Sequence, residues 1–528
     1  MIRYSRKGGF PSMSERLLLA LDSGSQSSRA LLFDDAGNIL ASSQHQHAPM
    51  KYPMPGAVEQ DPLDIREALY ASVRECLGRW GGDVGRIGGA ALTTQRNTML
   101  PVAADGTPLA DAVSWLDRRT ASVDSEPTAW LRWLLKLMGE KALIPRLVAK
   151  SVPRQWRERC PDILASTWKI ASIEGWLNHQ LTGRVAVGPG GVVGTWPLAV
   201  KHLAWSDSNL LYTLLGFRRE WLPDIVPSAQ KIGEITATAE AQTGLPQGLP
   251  LFACGGDKQA EALGGGLLSS RRGEAAVSLG TGSSICVPWP MARESRNYQW
   301  IAMGAAEPGA FCLEYLLFRG MWTARWFANE LARDLVQSAA QTGKPAEALL
   351  CEEASRVPAG CDGLMVWPRW SPTLQQPRET GAAVGLRETH TRAHFFRALL
   401  EGIAYDLRRG RHILEHATTM KIERLMVAGG GARSRTIVQI LCDVFGLPVV
   451  RPASEELSAR GAAMVAAIGC GVYADAPEAV RAMAAPAETF SPQTDNAARY
   501  ETIYRTIYLP GLKTCHRISS SLRGARDK

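Results

Sequence analysis

Two short segments rich in glycine and small hydroxyl residues are the parts of this chain best suited to chemistry. Near the start, Leu17-Leu-Leu-Ala-Leu-Asp22-Ser-Gly24-Ser25-Gln26-Ser27-Ser28-Arg29 reads as strand, tight turn and strand. Midway along, Ala275-Ala-Val-Ser-Leu279-Gly280-Thr281-Gly282-Ser283-Ser284 repeats the same grammar. A turn of this kind aims several backbone N–H groups at one point, and that concavity suits a phosphate. Either one alone reads equally well as an ordinary hairpin, because Gly and Ser are common turn residues. The pair, with Asp22 closing the first strand where a hard cation could be held, favours the polyphosphate of a nucleotide.

Three further clusters lie where strands end. The run Leu249-Pro-Leu-Phe-Ala-Cys254 reads as a strand that stops at Gly255-Gly256-Asp257-Lys258-Gln259. Asp257 is there the candidate base for a hydroxyl proton, with a helix N-cap as its alternative role. Ile87-Gly-Gly-Ala-Ala-Leu-Thr93 stops at Thr94-Gln95-Arg96-Asn97-Thr98, a polar group at the position where open sheets place ligands. Arg424-Leu-Met-Val-Ala428 runs into Gly429-Gly430-Gly431-Ala432-Arg433-Ser434. Glycines there admit close approach of a ligand to the backbone, or make a tight strand-to-helix turn, or both.

The elements that must position these groups follow from local pattern. The first hairpin continues through Asp34-Asp-Ala-Gly37-Asn38 into a third strand at Ile39-Leu40-Ala41. Asp61-Pro62 opens a helix from Leu63 to about Trp80, with Ile65, Leu69, Val73 and Leu77 at helical spacing. A helix is expected through Gln439 to Phe445, ending at Gly446, before a strand at Pro448-Val-Val450. Since the second hairpin restarts the grammar of the first, a boundary near residue 265 divides two related halves, each a mixed sheet flanked by helices, with the active cleft expected between them. The division is a basic tail over 1–15, a substrate- and phosphate-binding domain over 16–265, an adenine-nucleotide domain over 266–510 and a basic tail over 511–528.

The formal charge of +8 on 528 residues looks at first like a nucleic-acid signal. Residues 1–16 carry +3 and residues 511–528 carry +4, so the ends hold +7 of it and are expected to be solvated. The body is close to neutral, which removes the case for a nucleic-acid-binding face. Ten cysteines without a C-x-x-C pair suggest neither a zinc site nor a disulfide framework, and fit a reducing, cytoplasmic setting. No apolar signal core precedes the first strand, so a secretory leader is not expected. The apolar stretch Ala129 to Val148 is broken by Arg132, Lys136, Glu140, Lys141, Pro145 and Arg146, so it reads as one or two packed surface helices and no membrane partner is expected. His45 and His47 lie two apart on a polar strand edge and are a weak basis for a metal site.

Over residues 16 to 510 the chain resembles the FGGY family of carbohydrate kinases. Asp22 to Arg29 resembles the family's first phosphate loop, Leu279-Gly280-Thr281-Gly282 its second, and Ala428 to Ala432 with Gln439 its adenosine motif. Gly56-Ala-Val-Glu59-Gln60-Asp61-Pro62 is similar to the family's specific Gly-x-Val-Glu-Gln-Asp-Pro segment. Trp115-Leu-Asp117-Arg118-Arg119 and Leu181-Thr182-Gly183 are weaker members of the series, and Gly381 to Glu401 nearly fits a family signature, with Ala383 and Leu399 off-pattern.

The resemblance implies an α/β, two-domain actin-like ATPase (ribonuclease H-like) fold, as in hexokinase, with ATP and Mg²⁺ as cofactors. It puts the catalytic base at Asp257 and the Mg²⁺ on Asp22, mostly through water. Gly24, Ser25, Gln26 and Ser27 would hold phosphates, with Gly280 and Thr281 as the opposing clamp, and Gly430, Gly431, Ala432 and Ser434 would face the adenosine. Arg29 either points toward the phosphates or is a solvated strand residue. Substrate contacts fall to Gln95, Arg96, Asn97, Asp257 and Lys258, and Trp115 either stacks on a sugar or belongs to the core.

Four departures bear on the acceptor. Family members acting on glycerol carry Gln-Arg-Glu-Thr where this chain has Gln95-Arg96-Asn97-Thr98, and Gln where it has Lys258. The acidic segment that usually follows Leu-Thr-Gly is replaced by Val187-Gly-Pro-Gly-Gly-Val-Val193, and Trp367-Pro-Arg369-Trp370-Ser-Pro-Thr373 stands where a Gly-Glu-Arg-x-Pro loop is common. The expected activity is transfer of the γ-phosphoryl group of ATP to a hydroxyl of a small polyol or ketose, with a pentulose or tetritol fitting better than glycerol. The alternatives are a catalytically silent sugar- or nucleotide-sensing relative and, last, a chaperone-type ATPase. A homodimer is left open.

Overall fold

The computed structural model of the protein describes residues 16–122, 129–138, 143–295, 298–371, 373 and 379–526. The basic segment 1–15 lies outside them. The chain divides into two compact units: Met1–Leu268 with Met303–Ala310 and Glu456–Ala484, and Ser269–Ala302 with Phe311–Glu455 and Ala485–Lys528.

Unit 1 is built on a six-stranded sheet among the described residues, in the order Lys231–Glu234, Pro250–Gly256, Ile87–Thr94, Leu17–Ser23, Ser27–Phe33, Ile39–Gln46. The three central strands are parallel, and their register aligns Asp22 with Thr93, Ser23 with Thr94, Gly255 with Thr93 and Gly256 with Thr94. Their carboxyl ends therefore form one line. Leu17 to Leu21 are buried without alternation, as a strand covered on both faces requires. Helix Pro62–Trp80 covers one face, with the Asp61 side chain accepting from the Leu63 N–H and Gly81 closing the helix in the left-handed region. Its Ile65, Leu69, Val73 and Leu77 join Leu19, Leu21 and Leu32 in one core.

The other face is covered by helix Asp257–Gly264 together with two helices from late in the chain, Leu457–Gly469 and Ala476–Met483. Glycine is required where the first two cross. A Cβ on Gly461 would lie 1.9 Å from the Ala260 carbonyl oxygen, and one on Gly264 would lie 2.0 Å from that of Leu457. Backbone on both sides leaves nothing that can swing away. Gly461→Ala is therefore expected to lower stability by about 2 kcal/mol or more, read as a lowered urea midpoint, because the clash outweighs the roughly 1 kcal/mol gained in helix propensity.

Unit 2 carries the other large sheet, seven-stranded among the described residues: Ile301–Gly304, Phe311–Leu317, Ser283–Trp289, Glu274–Leu279, Arg424–Ala428, Val449–Pro452, Ala487–Phe490. The 27-residue helix Arg392–Thr418 packs on it through Phe396, Leu399, Ile403, Leu407 and Leu414. The expected solvated tail over 511–528 is corrected here. Residues up to 526 continue a helix, Leu509–Arg526, in which Cys515 and Ser519 are buried and the Ser519 and Thr380 hydroxyls lie 2.7 Å apart. Leu509, Leu512 and Cys515 give that helix an apolar stripe, and the preceding Tyr500, Tyr504 and Tyr508 pack around Tyr405. Charge counting overlooked this periodicity. Among the described residues, no helix is long and apolar enough to cross a membrane.

Candidate active site

In unit 1 the candidate groups gather at the line of strand ends. Asp257 follows Gly256 directly as the first residue of its helix, and its Oδ1 accepts the Lys258 N–H at 2.8 Å. The Arg96 Nε is 3.8 Å from the same oxygen, and an Arg96 Nη1 contacts the Met303 sulfur at 2.9 Å. The Lys258 ammonium turns along its helix to Glu261, at 3.7 Å. Asn97 has a left-handed backbone, φ 56°, a conformation Asn accepts better than most residues. Its buried Oδ1 has no hydrogen-bond partner among the described residues, and a Cβ on Gly194 would lie 3.1 Å from it.

The turn after Asp22 is held by a network. The Gly24 N–H donates to the Ser27 carbonyl at 3.0 Å. The Ser25 hydroxyl donates to Gln95 Oε1 at 2.9 Å and accepts the Trp115 indole N–H at 3.0 Å. Gln60 donates to the Ser25 carbonyl at 3.0 Å and accepts from Gln95 at 2.8 Å. Ser25, Gln95 and Trp115 thus position the loop, and Gln60 is the hub that pattern reading left as mere motif. Gln26 is exposed at the tip, and Ser27 accepts from Gln44 at 2.9 Å. Arg29 fits neither of its two expected roles alone, since it is half-buried and paired at 2.8 Å with Glu456, the residue that opens helix Leu457–Gly469.

Asp22 lies in an electrostatically unusual place. Burial pushes its carboxyl up to about 7; Arg29 opposes this, while Asp257, Glu456 and Glu261 add to it. A buried carboxylate among other carboxylates gains from a cation, so the donor set fits Mg²⁺. Among the described residues no three His, Cys, Asp or Glu side chains converge on one point. His45 and His47 are engaged otherwise, with Glu75 and with the Ser28 hydroxyl respectively, each at 2.8–2.9 Å. The carboxylate beside His45, absent from its sequence neighbourhood, comes from helix Pro62–Trp80.

In unit 2, parallel pairing of Ser278 with Ala428 brings the turn Gly280–Gly282 beside Gly429–Gly431. The Met321 and Trp322 N–H groups donate to the Gly280 and Thr281 carbonyls, each at 3.2 Å, which fixes that turn on helix Gly320–Leu331. Gly429 has φ 84°, and a Cβ there would meet Leu279 backbone at 2.9 Å; Gly431 would meet the Leu279 Cβ at 2.9 Å. These two glycines serve the turn. A Cβ on Gly430 would meet nothing within 4 Å, so the fold does not demand glycine there, and bare backbone faces open space. Ala432 is buried, Ser434 caps helix Arg435–Phe445, and Gln439 is spent on Asp443 and the Ser491 carbonyl.

Sequence reading missed Glu174, which is fully buried on the first turn of helix Ile173–Thr182 and meets the backbone at Gly255, two residues before Asp257. Its only signal was a carboxylate just upstream of the segment whose own acidic residue is lost. Arg369, from the other departure, lies buried in unit 2 with Asp406, Glu379 and Tyr315.

Two units, each a mixed sheet flanked by helices with a glycine–hydroxyl hairpin at a strand end, have the layout of the two-domain actin-like ATPase fold. Residues 17–264 match the N-terminal domain, and residues 275–470 the C-terminal domain, of the FGGY family of carbohydrate kinases, and the chain belongs to that family. It is 31% identical to a glycerol kinase of Leptothrix cholodnii, over 90% of this chain and 95% of the relative. It is 28% identical to a sugar kinase, YgcE, of Escherichia coli, over 94% and 93%. A xylulose kinase from Rhodospirillum rubrum superposes with a TM-score of 0.78 at 26% identity, covering 96% of this chain and 100% of that one.

Proposed function

We propose that the protein transfers the γ-phosphoryl group of ATP to a hydroxyl of a small polyol or ketose, with Asp257 as the base. The observation that carries this reading is the register of unit 1, in which Asp257 comes one residue beyond the strand-end line shared by Ser23, Thr94 and Gly256. Phosphoryl transfer needs positioning and charge neutralisation more than covalent chemistry. Asp257 takes the proton of the attacking hydroxyl, and the Arg96 guanidinium, with Nε 3.8 Å from its Oδ1, is the neighbouring positive charge. Asn97 and Lys258 supply further hydrogen bonds to acceptor hydroxyls. Backbone amides of the Gly24–Ser27 turn hold the β- and γ-phosphates, Gly280 and Thr281 supply the second phosphate turn, and Gly430 with Gly431, Ala432 and Ser434 receives the adenosine. Mg²⁺ held by Asp22 supplies neutralisation of phosphate charge when bound.

The relatives named for glycerol and for xylulose support a small polyol or ketose as the acceptor. Asn97 in place of a carboxylate argues for a pentulose or tetritol over glycerol, because an amide can donate as well as accept. Polyols and ketoses of three to six carbons, assayed for ADP release with MgATP, test the reading. At least one acceptor is expected to raise turnover well above the rate with water alone. A flat panel would favour the silent, sensing alternative.

A further inference from the structure

Glu174 has no part in the steps above, yet its surroundings are built around it. Its Oε1 accepts the Gly188 N–H at 2.8 Å, the Gly255 N–H also bonds to its carboxyl, and Oε2 has no partner among the described residues. Glycines pave the contact. A Cβ on Gly191 would lie 1.7 Å from Oε2, one on Gly188 would lie 2.8 Å from the Gly255 nitrogen, and one on Gly190 would lie 2.7 Å from the Gly304 oxygen. Gly255 itself has φ 101°, and a Cβ there would be 3.2 Å from both the Gly190 Cα and the Gly191 nitrogen. The segment 188–191 therefore lies flat on the end of strand Pro250–Gly256, two residues before Asp257, and one carboxyl is bonded to both.

We propose that Glu174 is a positioning residue: it clamps the glycine segment 188–191 to Gly255 and so fixes the strand end that presents the Asp257 carboxylate to its acceptor. This rests on Asp257 being the base. The clamp works as a neutral acid, because burial pushes the Glu174 carboxyl up to about 8 against the pull of its two N–H partners. An amide of the same shape keeps an oxygen for the Gly188 N–H and should replace it.

Full-length Glu174→Ala, Glu174→Asp and Glu174→Gln test this by two independent readouts. The first is backbone hydrogen exchange in the peptides that contain Gly188 and Gly255; the second is kcat and acceptor KM per folded molecule. Glu174→Ala should lose protection in both peptides and lose about 10-fold or more in kcat with KM changed less than about 3-fold, as a misplaced catalytic group does. Glu174→Asp, one methylene short, should lose part of both, and it carries the test if the alanine variant does not fold. Glu174→Gln should stay within about 3-fold of wild type in kcat. Unchanged protection in Glu174→Ala, lost protection with unchanged kcat, or a Gln variant as impaired as the Ala variant overturns the proposal. If the wild type phosphorylates no acceptor, the kinase reading fails on its own, and hydrogen exchange alone then decides whether the clamp exists.

Discussion

Asp257→Asn should lower kcat by about 100- to 10,000-fold, the span ordinarily lost with a general base, while leaving the fold intact. The amide keeps the size and planarity of the carboxylate, and its Oδ1 can still accept the Lys258 N–H that the aspartate accepts at 2.8 Å. It cannot take up the hydroxyl proton, and it no longer balances Arg96, 3.8 Å away. The acceptor KM should therefore move far less than kcat, because Arg96, Asn97 and Lys258 remain. Steady-state kinetics on the best acceptor, with thermal unfolding as a control for the folded fraction, measures this. A variant with wild-type kcat would remove Asp257 from the chemistry and with it the kinase mechanism as drawn.

The largest expected effect on stability is at Asp406, on helix Arg392–Thr418 in unit 2. Its carboxylate is fully buried and receives the Arg369 Nε at 2.9 Å and the Tyr508 hydroxyl at 3.0 Å, with the Tyr315 hydroxyl as a further donor. Arg369 also donates to Glu379 at 2.8 Å, and Arg409 reaches Tyr315 at 2.9 Å. Burial pushes the Asp406 carboxyl up, but Arg369, Arg409 and the two phenols outweigh it and hold it below the usual carboxylate value. Removing the anion leaves the buried Arg369 guanidinium paired with Glu379 and takes the acceptor from two buried phenols. Asp406→Ala should thus cost about 3–5 kcal/mol, seen as an earlier unfolding midpoint, with Tyr508 and the helix after it loosened first. Because the folded-state value is depressed, the stabilisation from Asp406 is present at neutral pH and is lost as the pH falls through that value.

The parts of the site that could be read from sequence are those set within a few residues. The two hairpins, the Asp61 cap, Asp257 just past a strand and the turn at Gly429 to Gly431 all declare themselves through local spacing. What stayed hidden depends on partners far away in the chain. Arg29 finds Glu456, and Gly188 finds Glu174 and Gly255; neither pairing leaves a local trace. Arg369 shows the converse error: a residue standing where a family loop is missing looked like a clue to the acceptor, whereas its side chain is buried in an ion-pair network. At the C-terminus, net charge masked an apolar stripe carried by only a few residues.

The late arrival of helices Leu457–Gly469 and Ala476–Met483 in unit 1 has a consequence for synthesis. The strands of that unit's sheet leave the ribosome within the first half of the chain, but the alanine-rich cover for Leu18, Ala20, Leu31, Phe33 and Phe252 is not made until residue 483. For much of translation, one face of an otherwise complete sheet is an apolar surface awaiting its lid. A nascent chain halted before residue 457 should therefore be a better client for chaperones, and more prone to aggregate, than one released a few tens of residues later.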